Sequence, residues 1–151
     1  YILGRENECG HQYVIEKIKK IYGNIPILSI IIPSMNFKIY DWSDKVYYDI
    51  GPSEWIQLIA NASFVYTDSY HGVLFSLKYH INFLSYYIEK SRASRFIDLI
   101  KRYSVKNIIN GDSCNDIESI LIRDIDFKSI DQKIKNHKDL GKNIRVKLIP
   151  F

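Results

Sequence analysis

The run Val65-Tyr66-Thr67-Asp68-Ser69-Tyr70-His71-Gly72-Val73-Leu74-Phe75-Ser76 constrains this chain more than any other feature, because a short apolar strand leads directly into polar residues at the first turn of a helix. Such junctions belong to α/β proteins. A helix start carries unpaired backbone N–H groups and a partial positive charge, so it suits a phosphate or a carboxylate. Asp68, Ser69 and His71 stand beside any anion docked there. The same residues also make an ordinary capped helix, with Asp68 or Ser69 accepting the first free N–H groups and His71 lying near the first turn. The junction alone leaves both readings open.

With 151 residues the chain is long enough for one good core and short for two domains. We expect a single domain over residues 1–151, with an α/β core over 1–110 and a helical, basic C-terminal extension over 111–151. Hydrophobic residues make up 46% and charged residues 25%, a globular rather than a disordered composition. The net charge of +4 fits an anionic small molecule or a weak peripheral association with an anionic membrane, and it lends nucleic acid no support. Cys9 and Cys114 lie far apart and lack metal-type spacing, so a reduced, cytoplasmic protein is expected. The longest apolar stretch, Ile25 to Pro33, is too short and too broken to span a membrane. The chain opens on Tyr1-Ile2-Leu3-Gly4 with neither an initiator Met nor a signal-peptide pattern, which suggests a piece of a longer protein.

Patterning predicts alternating strands and helices. Tyr1 to Leu3 reads as a strand, followed by a helix in which Tyr13, Val14, Ile18 and Ile21 recur near the helical period. Ile25 to Ile32 is a continuous apolar run that fits a parallel strand buried on both faces, and Pro33 to Asp44 reads as an irregular excursion. Lys45 to Ile50 forms the next strand. Gly51-Pro52-Ser53-Glu54 then starts a helix whose core face carries Trp55, Leu58, Ile59 and Ala62. Ser63 to Thr67 is a strand, His71 to Tyr79 a helix and Asn82 to Tyr86 a strand, a doubly wound order. A helix marked by Phe96, Ile97, Leu99 and Ile100 follows, with Ser94 as its expected cap, and another carries Ile117, Ile120, Leu121 and Ile125. The last stretch is helical at first and strongly basic.

Ligands of open parallel sheets bind beyond the carboxyl ends of the strands, here the turns after Ile50, Thr67 and Tyr86. The first turn brings Gly51 and Glu54, the second Asp68, Ser69 and His71, and the third Lys90, Arg92 and Arg95. His71 is the candidate general acid or base, since imidazole titrates near neutrality, with a structural histidine as the alternative. Arg95 suits a carboxylate or phosphate, or else pairs with Asp98 or Asp131. Glu54 serves equally as a helix cap. Gly72 permits close approach of a ligand or of neighbouring backbone. Tyr47, Tyr48, Tyr86 and Tyr87 offer faces for a sugar, or pack half-buried along their strands. Asp41, Asp44 and Asp49 are too scattered to make a metal site, so no metal and no cofactor are expected.

Four motifs in order resemble the polysaccharide pyruvyl transferase family: Asp49-Ile50-Gly51-Pro52-Ser53-Glu54-Trp55, Ile59-Ala60-Asn61-Ala62, Thr67 through Ser76, and Ser94-Arg95-Phe96 before Leu99-Ile100. The resemblance runs from Tyr1 to about Ile109. It implies a Rossmann-like parallel sheet flanked by helices, similar to the C-terminal half of a GT-B-type two-domain transferase, with an N-terminal half of the same protein across a cleft. It further implies transfer of pyruvate from phosphoenolpyruvate to two hydroxyls of a saccharide or lipid-linked saccharide, forming a ketal in bacterial exopolysaccharide or capsule synthesis. The expected setting is cytoplasmic, with the inner face of the membrane as an option; the basic tail reads first as a solvated helix face and otherwise as a membrane or partner surface.

On that resemblance His71, with Asp68, is the catalytic candidate, while Ser69, Tyr70, Gly72, Arg95 and Arg92 bind the anionic donor and Thr67, Gly51 and Glu54 support the site. Ser69 stands where some members carry an arginine two residues before the histidine, which leaves room for a different donor. A GT-B-like glycosyltransferase or sugar-nucleotide binder is one alternative, because a helix start also takes a diphosphate. A non-catalytic domain in polysaccharide assembly is another.

Overall fold

Alternation along three short strands decides the architecture. The structure, a computed structural model, describes residues 10–31, 42–88, 90–111 and 117–147. Strands β1 (Leu28–Ile31) and β2 (Lys45–Tyr48) pair in parallel, and β3 (Val65–Thr67), β4 (Phe83–Tyr87) and β5 (Ile108–Asn110) form a second parallel sheet in that order. Within it Thr67 pairs with Ser85, and Ser85 with Ile108. Helices α1 (His11–Tyr22), α2 (Pro52–Ala60), α3 (Tyr70–Lys78), α4 (Lys90–Tyr103), α5 (Ile117–Leu121) and α6 (Phe127–Lys147) complete the chain.

Successive strand residues point to opposite faces, so each strand feeds two cores. Val65, Phe83 and Ile108 meet Ile59, Val73, Leu77, Phe96, Leu99 and Ile130 from α2, α3, α4 and α6. Tyr66, Leu84 and Tyr86 meet Val14, Ile15, Ile18, Ile117, Ile120 and Leu121 from α1 and α5. Phe83 and Leu84 are fully buried, each contributing about 1.5–3 kcal/mol. The result is a sheet between two helical layers, the α/β fold with parallel sheets that the patterning predicts and that a Rossmann-like architecture requires. On the α1 and α5 side Lys17 bonds Glu118, which holds the Glu118 carboxyl below its usual range and lifts the Lys17 ammonium.

Several local expectations are corrected. The apolar run through β1 is not covered on both faces: Leu28 is 43% exposed, because the helical layers pack on β3, β4 and β5. Tyr13 and Ile21 sit on the open side of α1, whose core face is Val14, Ile15 and Ile18. Helix α4 begins at Lys90, so Ser94 is an exposed mid-helix residue rather than a cap. Ile125 falls beyond α5, and the three-residue β5 is too short to stand out by pattern. The expected strand at Tyr1 to Leu3, both cysteines, Asp41 and most of Pro33 to Asp44 lie outside the described residues. The C-terminal helices α5 and α6 pack into opposite core layers through Ile117, Ile120, Leu121 and Ile130.

Candidate functional site

The turn from β3 into α3 is a buried polar knot. Thr67, Asp68 and Ser69 are all buried, whereas His71, two residues on, is exposed. Ser69 is the N-cap of α3: its Oγ accepts the Gly72 N–H at 3.3 Å, and its own N–H donates to Thr67 Oγ1 at 3.0 Å. Ser76 Oγ donates to the Gly72 carbonyl at 2.8 Å. Each bond satisfies a group that would otherwise be stranded away from water. The N–H groups of Tyr70 and His71 precede the first intrahelical donor, that of Val73, at the positive end of the helix.

Gly72 explains how close the helix can come. A Cβ there would lie 2.9 Å from Thr67 Cγ2 and 3.0 Å from its Oγ1. The close approach is therefore to the strand beneath, and Gly72 seats α3 on β3 while its N–H closes the cap.

Tyr70 connects this turn to helix α4, where Arg95 lies rather than in the loop after β4. Its ring meets Phe96 edge-on at 5.9 Å, and Phe96 in turn stacks on Tyr87 at 5.9 Å and 20°. The Arg95 guanidinium lies 5.9 Å from the Tyr70 centroid, within reach of a cation–π contact, and the His71 ring meets the same tyrosine at 6.0 Å and 77°. The structure thus gathers Ser69, Tyr70, His71 and Arg95 around one helix start. Arg92 is one turn before Arg95 in α4, and its side chain lies outside the described residues.

The Gly51 turn is built differently. Glu54 Oε2 accepts the Gly51 N–H at 2.9 Å, half of a capping box, since glycine has no side chain to complete it. Glu54 is exposed and Gly51 has room around it. Helix α2 reaches the site's helix through Trp55, whose ring meets Phe75 edge-on at 5.4 Å. Asp49, at the exit of β2, holds a φ of 50°, a left-handed conformation that Asp tolerates better than most residues.

Of the tyrosines considered as sugar faces, Tyr86 is 1% exposed and belongs to the core, while Tyr48 is 48% exposed. The bracing of Tyr70 by Phe96 and Tyr87 is not legible in the motifs, although the aromatic residues at both positions are its signal in the sequence. Among the described residues no group of three or more His, Cys, Asp or Glu could hold a metal ion, and no helix is long and apolar enough to cross a membrane. A groove lined by His80, Phe127, Lys128, Asp131, Gln132 and Lys135 lies near the C-terminal end of α3, away from this turn.

No curated protein and no solved structure matches the chain. The family model for polysaccharide pyruvyl transferase matches residues 8–90, a narrower span than the motifs suggest, which includes the whole Asp68 to Gly72 turn and ends before Arg92 and Arg95. With more than half of its length matched, this chain belongs to the polysaccharide pyruvyl transferase family.

Proposed function

We propose that the chain binds phosphoenolpyruvate at the first turn of α3 and transfers its pyruvyl group to a saccharide. The observation that carries this reading is Tyr70 in contact with both Arg95 and His71 at a helix start. Phosphoenolpyruvate has a carboxylate and a phosphate, which the N–H groups of the first turn and the Arg95 guanidinium complement. The methylene carbon gains a proton, and one sugar hydroxyl adds to the neighbouring carbon as it loses its own. The second hydroxyl then displaces inorganic phosphate and gives up its proton, closing the ketal. His71 is exposed at the mouth of the turn, where an imidazole can carry protons for either step. Asp68, in the same turn, is buried.

In this reading the chain is the C-terminal half of a GT-B-type transferase, the saccharide or lipid-linked acceptor enters from the side of an N-terminal half, and no cofactor takes part. The setting is cytoplasmic, with Lys128, Lys135 and Lys138 exposed on α6 for contact with anionic lipid. Calorimetric titration with phosphoenolpyruvate, beside a sugar nucleotide and with His71→Ala and Arg95→Ala, tests it. We expect phosphoenolpyruvate to bind and Arg95→Ala to weaken it at least tenfold, the scale of a charge-assisted hydrogen bond. A sugar nucleotide bound in preference would instead favour the glycosyltransferase-like reading, and transfer by His71→Ala at the wild-type rate would remove the histidine from the chemistry.

A further inference from the structure

A second imidazole, on the opposite face of the sheet, grips the same strand end. His11 opens α1, where Gly10 supplies no side-chain cap, and it is only 2% exposed. Its Nδ1 lies 3.1 Å from the Tyr66 hydroxyl. Its ring also meets Tyr66 edge-on at 5.7 Å and Tyr86 at 6.2 Å, while Tyr66 and Tyr86 are themselves 5.7 Å apart. Three polar aromatic rings therefore close on one another inside a layer otherwise made of Val14, Ile15, Ile18, Leu84, Ile117, Ile120 and Leu121.

An apolar pair would fill that space without having to desolvate an imidazole and a phenol. A hydrogen bond between two buried groups adds little net stability, but it is directional, so it fixes how the two elements meet. What it fixes here is Tyr66, which is followed at once by Thr67, Asp68 and Ser69. Thr67 points to the other face, where it holds the Ser69 N–H and presses against Gly72. The end of β3 is thus clamped from both sides, by α3 through Thr67 and by α1 through Tyr66. Between these clamps the chain turns to present His71.

We propose that His11 is a positioning residue for the Asp68 to Gly72 turn, acting through the Tyr66 hydroxyl. The proposal rests on the reading of that turn as the donor site. A small displacement of a binding turn is enough to lower affinity and rate severalfold, whereas the same displacement in a passive core layer would be felt only as stability.

The test uses the whole 151-residue chain with Tyr66→Phe, which deletes one oxygen and keeps the ring, together with His11→Phe and His11→Asn, whose amide can replace the Nδ1 partner. Amide resonances of Thr67 to Gly72 and the His71 ring resonances are recorded without ligand, thermal unfolding is followed, and phosphoenolpyruvate is titrated. Tyr66→Phe and His11→Phe are expected to move the turn's resonances and weaken phosphoenolpyruvate about five- to tenfold, roughly one hydrogen bond. His11→Asn is expected to restore most of both, and the two phenylalanine changes together should do no more than either alone. Variants that melt earlier yet leave the turn's resonances and the affinity at wild-type values would overturn the proposal. Wild-type chain that ignores phosphoenolpyruvate while its variants still shift the turn would remove the donor assignment and leave the positioning role supported.

Discussion

Two helix starts in this chain carry the same kind of sequence signature and end up as different objects. At α2, Glu54 accepts the Gly51 N–H in the open, with no other chain element required. At α3, the cap of Ser69 on Gly72 is buried, the hydroxyl of Thr67 ties the turn down, and rings from α4 and β4 brace it from the side. The comparison teaches that capping chemistry is local and cheap, while a site needs its cap held by parts of the chain far away in sequence. A free-standing cap ends a helix; a braced one holds side chains at fixed positions around its N–H groups.

The largest expected break in that contrast is Phe96→Ala. Phe96 is 2% exposed and props Tyr70, so its loss should cost about 3–5 kcal/mol in denaturant unfolding and loosen Arg95 and His71 together. Next comes Gly72→Ala. Alanine gains up to about 1 kcal/mol of helix propensity, but the new Cβ would collide with a threonine whose hydroxyl is already committed to Ser69, so we expect a net loss of about 1–2 kcal/mol. Gly51→Ser, whose Cβ meets only the flexible end of Glu54 at 3.6 Å, should instead be neutral or stabilise by about 0.5 kcal/mol by completing the box.

Ser69→Ala removes the buried cap and should cost about 1 kcal/mol, against a few tenths for Glu54→Gln at the exposed one. If thermal unfolding ranks the two caps the other way, burial is not what separates them. The smallest effect is an acid titration shared by every variant. Lys17 depresses Glu118, so their bond is intact above the unfolded carboxylate's range and is lost as pH falls through Glu118's lowered one. Because Glu118 is exposed, Lys17 is partly so and both are remote from either cap, the loss should be slight and equal across the set.

Much of this was legible beforehand, for definite reasons. The strand ending at Thr67, a cap at Asp68 or Ser69 and the Gly51 and Glu54 start depend on residues within four positions of one another, and local rules read them directly; the structure chose Ser69. The family match was likewise carried by short motifs in order. Less legible was β5, whose three residues become a strand only because β4 offers them an edge. Helix α4 begins four residues before Ser94, since packing of Phe96 and Leu99 against the sheet organises the turn ahead of them.

By itself the sequence determined that strands and helices alternate, that the sheet is parallel, and that a polar, capped turn follows β3. Each of these follows from side-chain periodicity and from hydrogen bonds made between near neighbours. Only the tertiary structure decided which polar residues share a place. Tyr70 reaches Phe96 and Arg95 on α4, and His11 reaches Tyr66 across 55 positions and from the other face of the sheet. Those contacts depend on where whole elements come to rest, which is set by the two buried layers that β3, β4 and β5 divide between them. Local sequence writes the cap; packing at a distance gathers Tyr70, His71 and Arg95 around it.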